Sequence, residues 1–93
     1  MKSVYKYPFN IVDEFTIEMP VNASFLRAEV QEGCGPCMWV LVAIGAPIEK
    51  CTFRVFGTGH SIPDAGLSWL TTFQDTPYVW HLFWYTSQFK ETK

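Results

Sequence analysis

Between residues 15 and 19 the chain reads Phe15-Thr16-Ile17-Glu18-Met19, and this strict alternation constrains the fold more than any other feature. A period of two puts Phe15, Ile17 and Met19 on one face of an extended strand and Thr16 and Glu18 on the other. The period recurs at Leu26, Ala28 and Val30, separated by Arg27 and Glu29, and at Cys51, Phe53 and Val55, separated by Thr52 and Arg54. Tyr5, Tyr7 and Phe9 share a face in the same way, and Pro8 between them has no N–H to donate, so the first strand is expected on an edge.

Turn chemistry separates these runs. Asn10–Asp13 connects the first two, Pro20-Val21-Asn22 ends the second, and Glu32-Gly33-Cys34-Gly35-Pro36 follows the third. After it comes an uninterrupted apolar run from Cys37 to Ile44, rich in β-branched residues and flanked by Gly and Pro, which predicts a central strand buried on both faces. Residues 57–68 carry three glycines and a proline without any period and predict a long loop, in which Pro63 is placed to open a single helical turn. Trp69–Phe73 and Tyr78–Tyr85 then form a closing hairpin around Gln74-Asp75-Thr76-Pro77. The expected fold is all-β, a small antiparallel β-sandwich or rolled barrel of six to seven strands. Ninety-three residues are the length of one domain, 1–93, with the polar segment 86–93 expected to be a flexible tail.

A core this small is thin, but 48% hydrophobic residues, with eight Phe, four Trp and four Tyr, supply side chains that each remove a large area from water. Trp39, Trp69, Trp80 and Trp84, with Tyr78, Phe83 and Tyr85, are too many to hide there. Tyr78, Trp80, Leu82 and Trp84 make one face of the last strand and Val79, His81, Phe83 and Tyr85 the other, so one face is expected inside and the other against a partner.

The formal charge is −2, from nine acidic and seven basic residues scattered along the chain. Direct nucleic-acid binding is disfavoured, because neutralising phosphates needs clustered Lys and Arg. The longest apolar run has eight residues, far short of the ~20 that a helix needs to span lipid. The opening segment, Met1–Pro8, has no apolar region of the signal-peptide kind, so no membrane association and a cytoplasmic location are expected.

Three motifs invite a chemical reading. Cys34-Gly35-Pro36-Cys37 is the string used by thioredoxin-like oxidoreductases, but that chemistry needs the first cysteine at a helix N-terminus, and here the residues after Cys37 predict a strand. Cys34, Cys37, Cys51, His60 and His81 contain the ligand types of a zinc site, yet the histidines are widely separated and His81 alternates within a strand, where a cross-strand hydrogen bond is its commoner role. Three cysteines in a cytoplasmic chain are expected to be reduced, and no metal or other cofactor is expected. Gly57-Thr58-Gly59-His60-Ser61 with Asp64 lacks the Lys of a phosphate loop and the geometry of a serine nucleophile with its base, so binding is favoured over catalysis there.

The chain resembles a family of short uncharacterised proteins of bacteriophages and proteobacteria. The resemblance is carried by Val4-Tyr5-Lys6-Tyr7-Pro8, Thr16-Ile17-Glu18-Met19-Pro20, Pro36-Cys37-Met38-Trp39-Val40-Leu41-Val42, the stretch from Phe53 to Asp64, Phe73-Gln74 and Val79-Trp80-His81-Leu82-Phe83. In that pattern the Pro-Cys pair at 36–37 recurs while the position of Cys34 is usually not cysteine, which further weakens a dithiol role. The resemblance implies a phage or mobile-element accessory protein that is not an enzyme and acts in the bacterial cytoplasm by binding and inhibiting a host defence complex, such as a CRISPR effector. The residues expected to bind are Thr58, His60, Asp64, Tyr78, Trp80 and Trp84, with a host protein complex or a second copy of the chain as partner. The alternative is a small-molecule binder that sequesters a signalling nucleotide through His60, the glycine amides and a stacking aromatic.

Overall fold

A computed structural model describes residues 1–86, and the expected tail lies, apart from Thr86, outside the described residues. Seven strands follow in order: β1 (Lys2–Pro8), β2 (Glu14–Pro20), β3 (Ser24–Gln31), β4 (Gly35–Ala43), β5 (Ile48–Gly57), β6 (Leu67–Asp75) and β7 (Tyr78–Tyr85). They form two antiparallel sheets, β1-β4-β3 and β2-β5-β7-β6, which decides between the two expected architectures in favour of the sandwich. The thinnest dimension, 16 Å, is that of two layers.

The period-two residues meet between the sheets. Phe15, Ile17 and Met19 of β2, Met38, Val40 and Val42 of β4, Cys51, Phe53 and Val55 of β5, and Leu82 and Trp84 of β7 share one core. Its centre is a row of rings: Phe73 meets Phe9 edge-on at 5.9 Å, Phe9 stacks on Phe15 at 4.9 Å, Phe15 on Phe53 at 5.2 Å, and Phe53 lies 5.8 Å from Trp84. Each pair contributes about 0.5–1.5 kcal/mol beyond the area it buries. A thin core is thus filled with few, large side chains.

β1 lies on an edge, as Pro8 requires, and pairs β4 from Lys2↔Ala43 to Pro8↔Cys37. The β3–β4 turn is closed by Cys34 N–H donating to Gln31 O at 3.0 Å, and Gly33 and Gly35 on either side of Cys34 both take φ of +84°, which glycine adopts without strain.

Three expectations are corrected. β4 is central in its sheet, and its inward residues Met38, Val40 and Val42 are fully buried; on the other face Cys37 is buried too, but Trp39 and Leu41 are only half-buried. No further layer covers that face among the described residues, and Trp39 is flanked in register by Lys6 and Arg27. In β3 the register shifts between Phe25 and Arg27, so Phe25 joins Ala28 and Val30 in the core and Leu26, expected inside, is 50% exposed on the bulge. Pro63 opens no helical turn, and residues 58–66 run as turn, coil and bend. No helix among the described residues is long and apolar enough to cross a membrane.

Candidate functional site

β5 ends at Gly57 opposite Trp80 of β7, and the chain turns there through Thr58 and Gly59 to His60. The turn is closed twice by residue 57: His60 N–H donates to Gly57 O at 3.1 Å, and Gly57 N–H donates to His60 Nδ1 at 3.2 Å. The imidazole is thereby folded back over Gly57. A Cβ at that position would lie 3.0 Å from His60 Cε1 and 3.2 Å from Nδ1, so the missing side chain is what admits the ring. Because Nδ1 accepts a hydrogen bond, the neutral ring carries its proton on Nε2, at the exposed side chain of His60.

Direct cross-strand partners point to the same side of a sheet, so His60 over Gly57 lies beside Trp80. Tyr78, two residues earlier, shares that side, and its ring centroid is 5.8 Å from that of Trp80 with the planes tilted by 34°. Leu82 and Trp84 continue the same face into the core. Tyr78, the first residue of β7, is nonetheless 59% exposed. Trp80 is half-buried, and its Nε1 is shielded from solvent with no hydrogen-bond partner.

Gly57, Thr58 and His60 on one side and Pro77, Tyr78, Val79 and Trp80 on the other enclose a concavity of about 460 Å³. That volume lies in the range of small-ligand sites. No Lys, Arg, Asp or Glu lines it. Thr58, the next residue after Gly57, turns to the outer side of the sheet, where its Oγ1 lies 2.9 Å from His81 Nε2 and donates to Val79 O at 3.5 Å.

His81 is held at both ring nitrogens, since Nδ1 lies 2.9 Å from Thr72 Oγ1, and Thr72 Oγ1 accepts from Trp69 Nε1 at 3.2 Å. With the Thr58 hydroxyl proton given to Val79 O, Thr58 accepts from His81 Nε2–H, which leaves Nδ1 of a neutral ring to accept from Thr72. The chain of bonds runs from exposed Trp69 across the outer face to the lip of the concavity. His81 is therefore a cross-strand hydrogen-bonded residue, as its place in the alternation indicates.

Of the six residues expected to bind, four come together: Thr58, His60, Tyr78 and Trp80 all line the concavity. Asp64 is exposed on the 58–66 segment and does not line it. Trp84 does not line it either: it is 5% exposed, packs against Phe53 in the core, and borders a separate concavity with Trp69 and Leu70. Pro77 and Val79 were not singled out; the turn at Pro77 is local and expected, but its place beside residue 58 is set by the pairing of β5 with β7. The outer face of β7 does not stand free either. Phe83 meets Phe56 edge-on at 5.4 Å, Arg54 stacks on Phe56 at 4.8 Å, and Tyr85 donates to Glu14 at 2.7 Å.

The cysteine motif sits on the β3–β4 hairpin, with Cys34 exposed and Cys37 buried, and all three cysteines are free thiols. A strand follows Cys37 where a thioredoxin-like site needs a helix. His60 and His81 are not brought together with the cysteines, and no group of three or more His, Cys, Asp or Glu suited to a metal ion occurs among the described residues.

Fold and site define a small antiparallel β-sandwich with an aromatic concavity at one end of its larger sheet. The chain belongs to the family described as a domain of unknown function, DUF7352, which it matches over residues 1–93. Comparison with curated proteins and with solved structures gives no match.

Proposed function

We propose that this protein is a non-enzymatic accessory protein of a phage or mobile element that acts in the bacterial cytoplasm by binding and inhibiting a host defence complex. The observation that carries this reading is the exposure of two large aromatic side chains, Trp69 at 60% and Tyr78 at 59%, on the two strands of the closing hairpin. Exposed Trp and Tyr on a rigid hairpin are the anchors that dominate protein interfaces, since each brings much area with little loss of rotamer freedom. Both belong to ordered surroundings: Trp69 is hydrogen-bonded to Thr72, and Tyr78 rests beside Trp80.

The test is capture of tagged protein from the lysate of its bacterial host, with mass spectrometry of the eluate. A defence-effector subunit in fixed ratio, lost with Tyr78→Ala and Trp69→Ala at unchanged thermal stability, supports the reading. Retention of the same partner by both variants sinks the aromatic-anchor account.

A second reading, sequestration of a small nucleotide-like ligand, is favoured by one specific observation. The concavity beside Tyr78 has the volume of a small-molecule site and presents the Nε2–H of a histidine whose tautomer is set by Gly57.

A further inference from the structure

We infer that the concavity between the 57–60 turn and the start of β7 is a site for a nucleobase, taken by its planar, uncharged ring and not by its phosphates. This rests on the second reading above and gives it a ligand chemistry. Three features of the lining select that class.

The first is charge. Gly57, Thr58, His60, Pro77, Tyr78, Val79 and Trp80 include no Lys and no Arg, in a chain of net charge −2. A phosphate brought here meets no fixed cation, whereas an uncharged ring loses nothing by their absence. The phosphates of a bound nucleotide therefore point to solvent.

The second is shape. Tyr78 and Trp80 present rings 5.8 Å apart and tilted by only 34°, with Tyr78 more than half exposed. Such a platform suits stacking of a flat heteroaromatic, which is tolerant of base identity because every base has a π-face. A strand-forming peptide is a poor fit, because β7 is already paired on both sides, by β5 and β6, and has no free ladder to offer.

The third is hydrogen-bonding polarity. The side-chain polar groups left to a ligand are a donor on His60 and the Tyr78 hydroxyl, which can donate or accept. His60 Nδ1 is occupied by Gly57 N–H, leaving Nε2–H on the exposed ring, while Trp80 Nε1 is shut off from solvent and from a ligand in the concavity. The Thr58 hydroxyl is already engaged with His81 and Val79 O. A ring carbonyl or ring nitrogen supplies the acceptor that His60 Nε2–H lacks.

The experiment titrates purified protein with adenosine, guanosine, cytidine and uridine, each beside its 5′-monophosphate, and with a proline-rich peptide as the competing ligand class. Binding is read by tryptophan fluorescence and by the amide and indole N–H signals in NMR. The expected result is saturable binding of at least one nucleoside, shifting the signals of His60, Tyr78 and the Trp80 indole while that of Trp69 stays in place. The monophosphate binds no tighter than its nucleoside, with little dependence on salt. Tyr78→Ala weakens binding about tenfold, and Tyr78→Phe, which keeps the ring, does not; the exposed position of residue 78 leaves both variants folded.

The inference is overturned if no nucleoside saturates, if only the monophosphate binds and salt abolishes it, or if the peptide alone shifts these signals. Because the probes are defined and no host protein is present, failure here is separate from failure to capture a defence complex.

Discussion

At the scale of single residues, His81 and Tyr7 show how the same alternation yields different chemistry. His81 holds two threonines from different segments, so Thr58 and Thr72 are coupled through one ring. Removing either hydroxyl by Thr58→Val or Thr72→Val costs about 0.5–1.5 kcal/mol. The double variant costs less than the sum, because once one nitrogen loses its partner the ring holds the other hydroxyl less firmly; urea unfolding of the four proteins reads this directly. Tyr7 faces inward from β1, and burial, with smaller contributions from Tyr5 and Cys51, pushes its phenol above the usual 10.0. The neutral phenol is thus favoured in the folded chain. Its contribution is fully present below pH 10.0 and is lost as pH rises through the folded value, since the unfolded chain gives up its proton first. Tyr7→Phe should flatten this alkaline loss of stability relative to the parent, and an unchanged slope would remove Tyr7 as its source.

Two elements turn on a single position. The bulge in β3 exchanges Leu26 for Phe25 on the inward face. Leu26→Lys is therefore expected to change stability by no more than about 0.5 kcal/mol, while Phe25→Ala costs about 2 kcal/mol from a partly buried ring. Equal costs in a thermal or urea titration would contradict the bulged register. A simple alternation from Leu26 to Val30 gives the opposite assignment, and no residue type in that stretch announces the extra position. Gly57 is the second case. Its φ is not in the left-handed region, and its importance is the space that the His60 ring occupies above it. Gly57→Ala is expected to displace His60 and shift its ring signals in NMR with β5–β7 pairing intact. An unmoved His60 ring would show that the turn does not depend on the missing side chain.

For the whole molecule, pairing is non-local: β1 closes on β4 and β2 on β5, with partners such as Lys2 and Ala43, or Glu14 and Arg54, far apart in the chain. Loop closure of that size must precede the contacts that stabilise it, so folding in about milliseconds to seconds is expected. Stopped-flow refolding followed by tryptophan fluorescence tests this, and submillisecond folding would contradict it. The same thinness of the sandwich governs the aromatic inventory. One interlayer space accepts Phe9, Phe53, Phe73 and Trp84 and leaves Trp69 and Tyr78 at the surface.

The strands, their inward faces and the edge position of β1 were legible because backbone pleat and apolar alternation share a period of two, and Pro8 lacks a donor. So was the grouping of Thr58, His60, Tyr78 and Trp80 as candidates, through an unperiodic glycine loop and an aromatic-rich strand. Only the tertiary structure decided that Asp64 stands apart and that Trp84 belongs to the core. It alone turned the spare rings into a concavity, because which end of a face lies uncovered depends on how two sheets of unequal width overlap, a relation between strands distant in the chain.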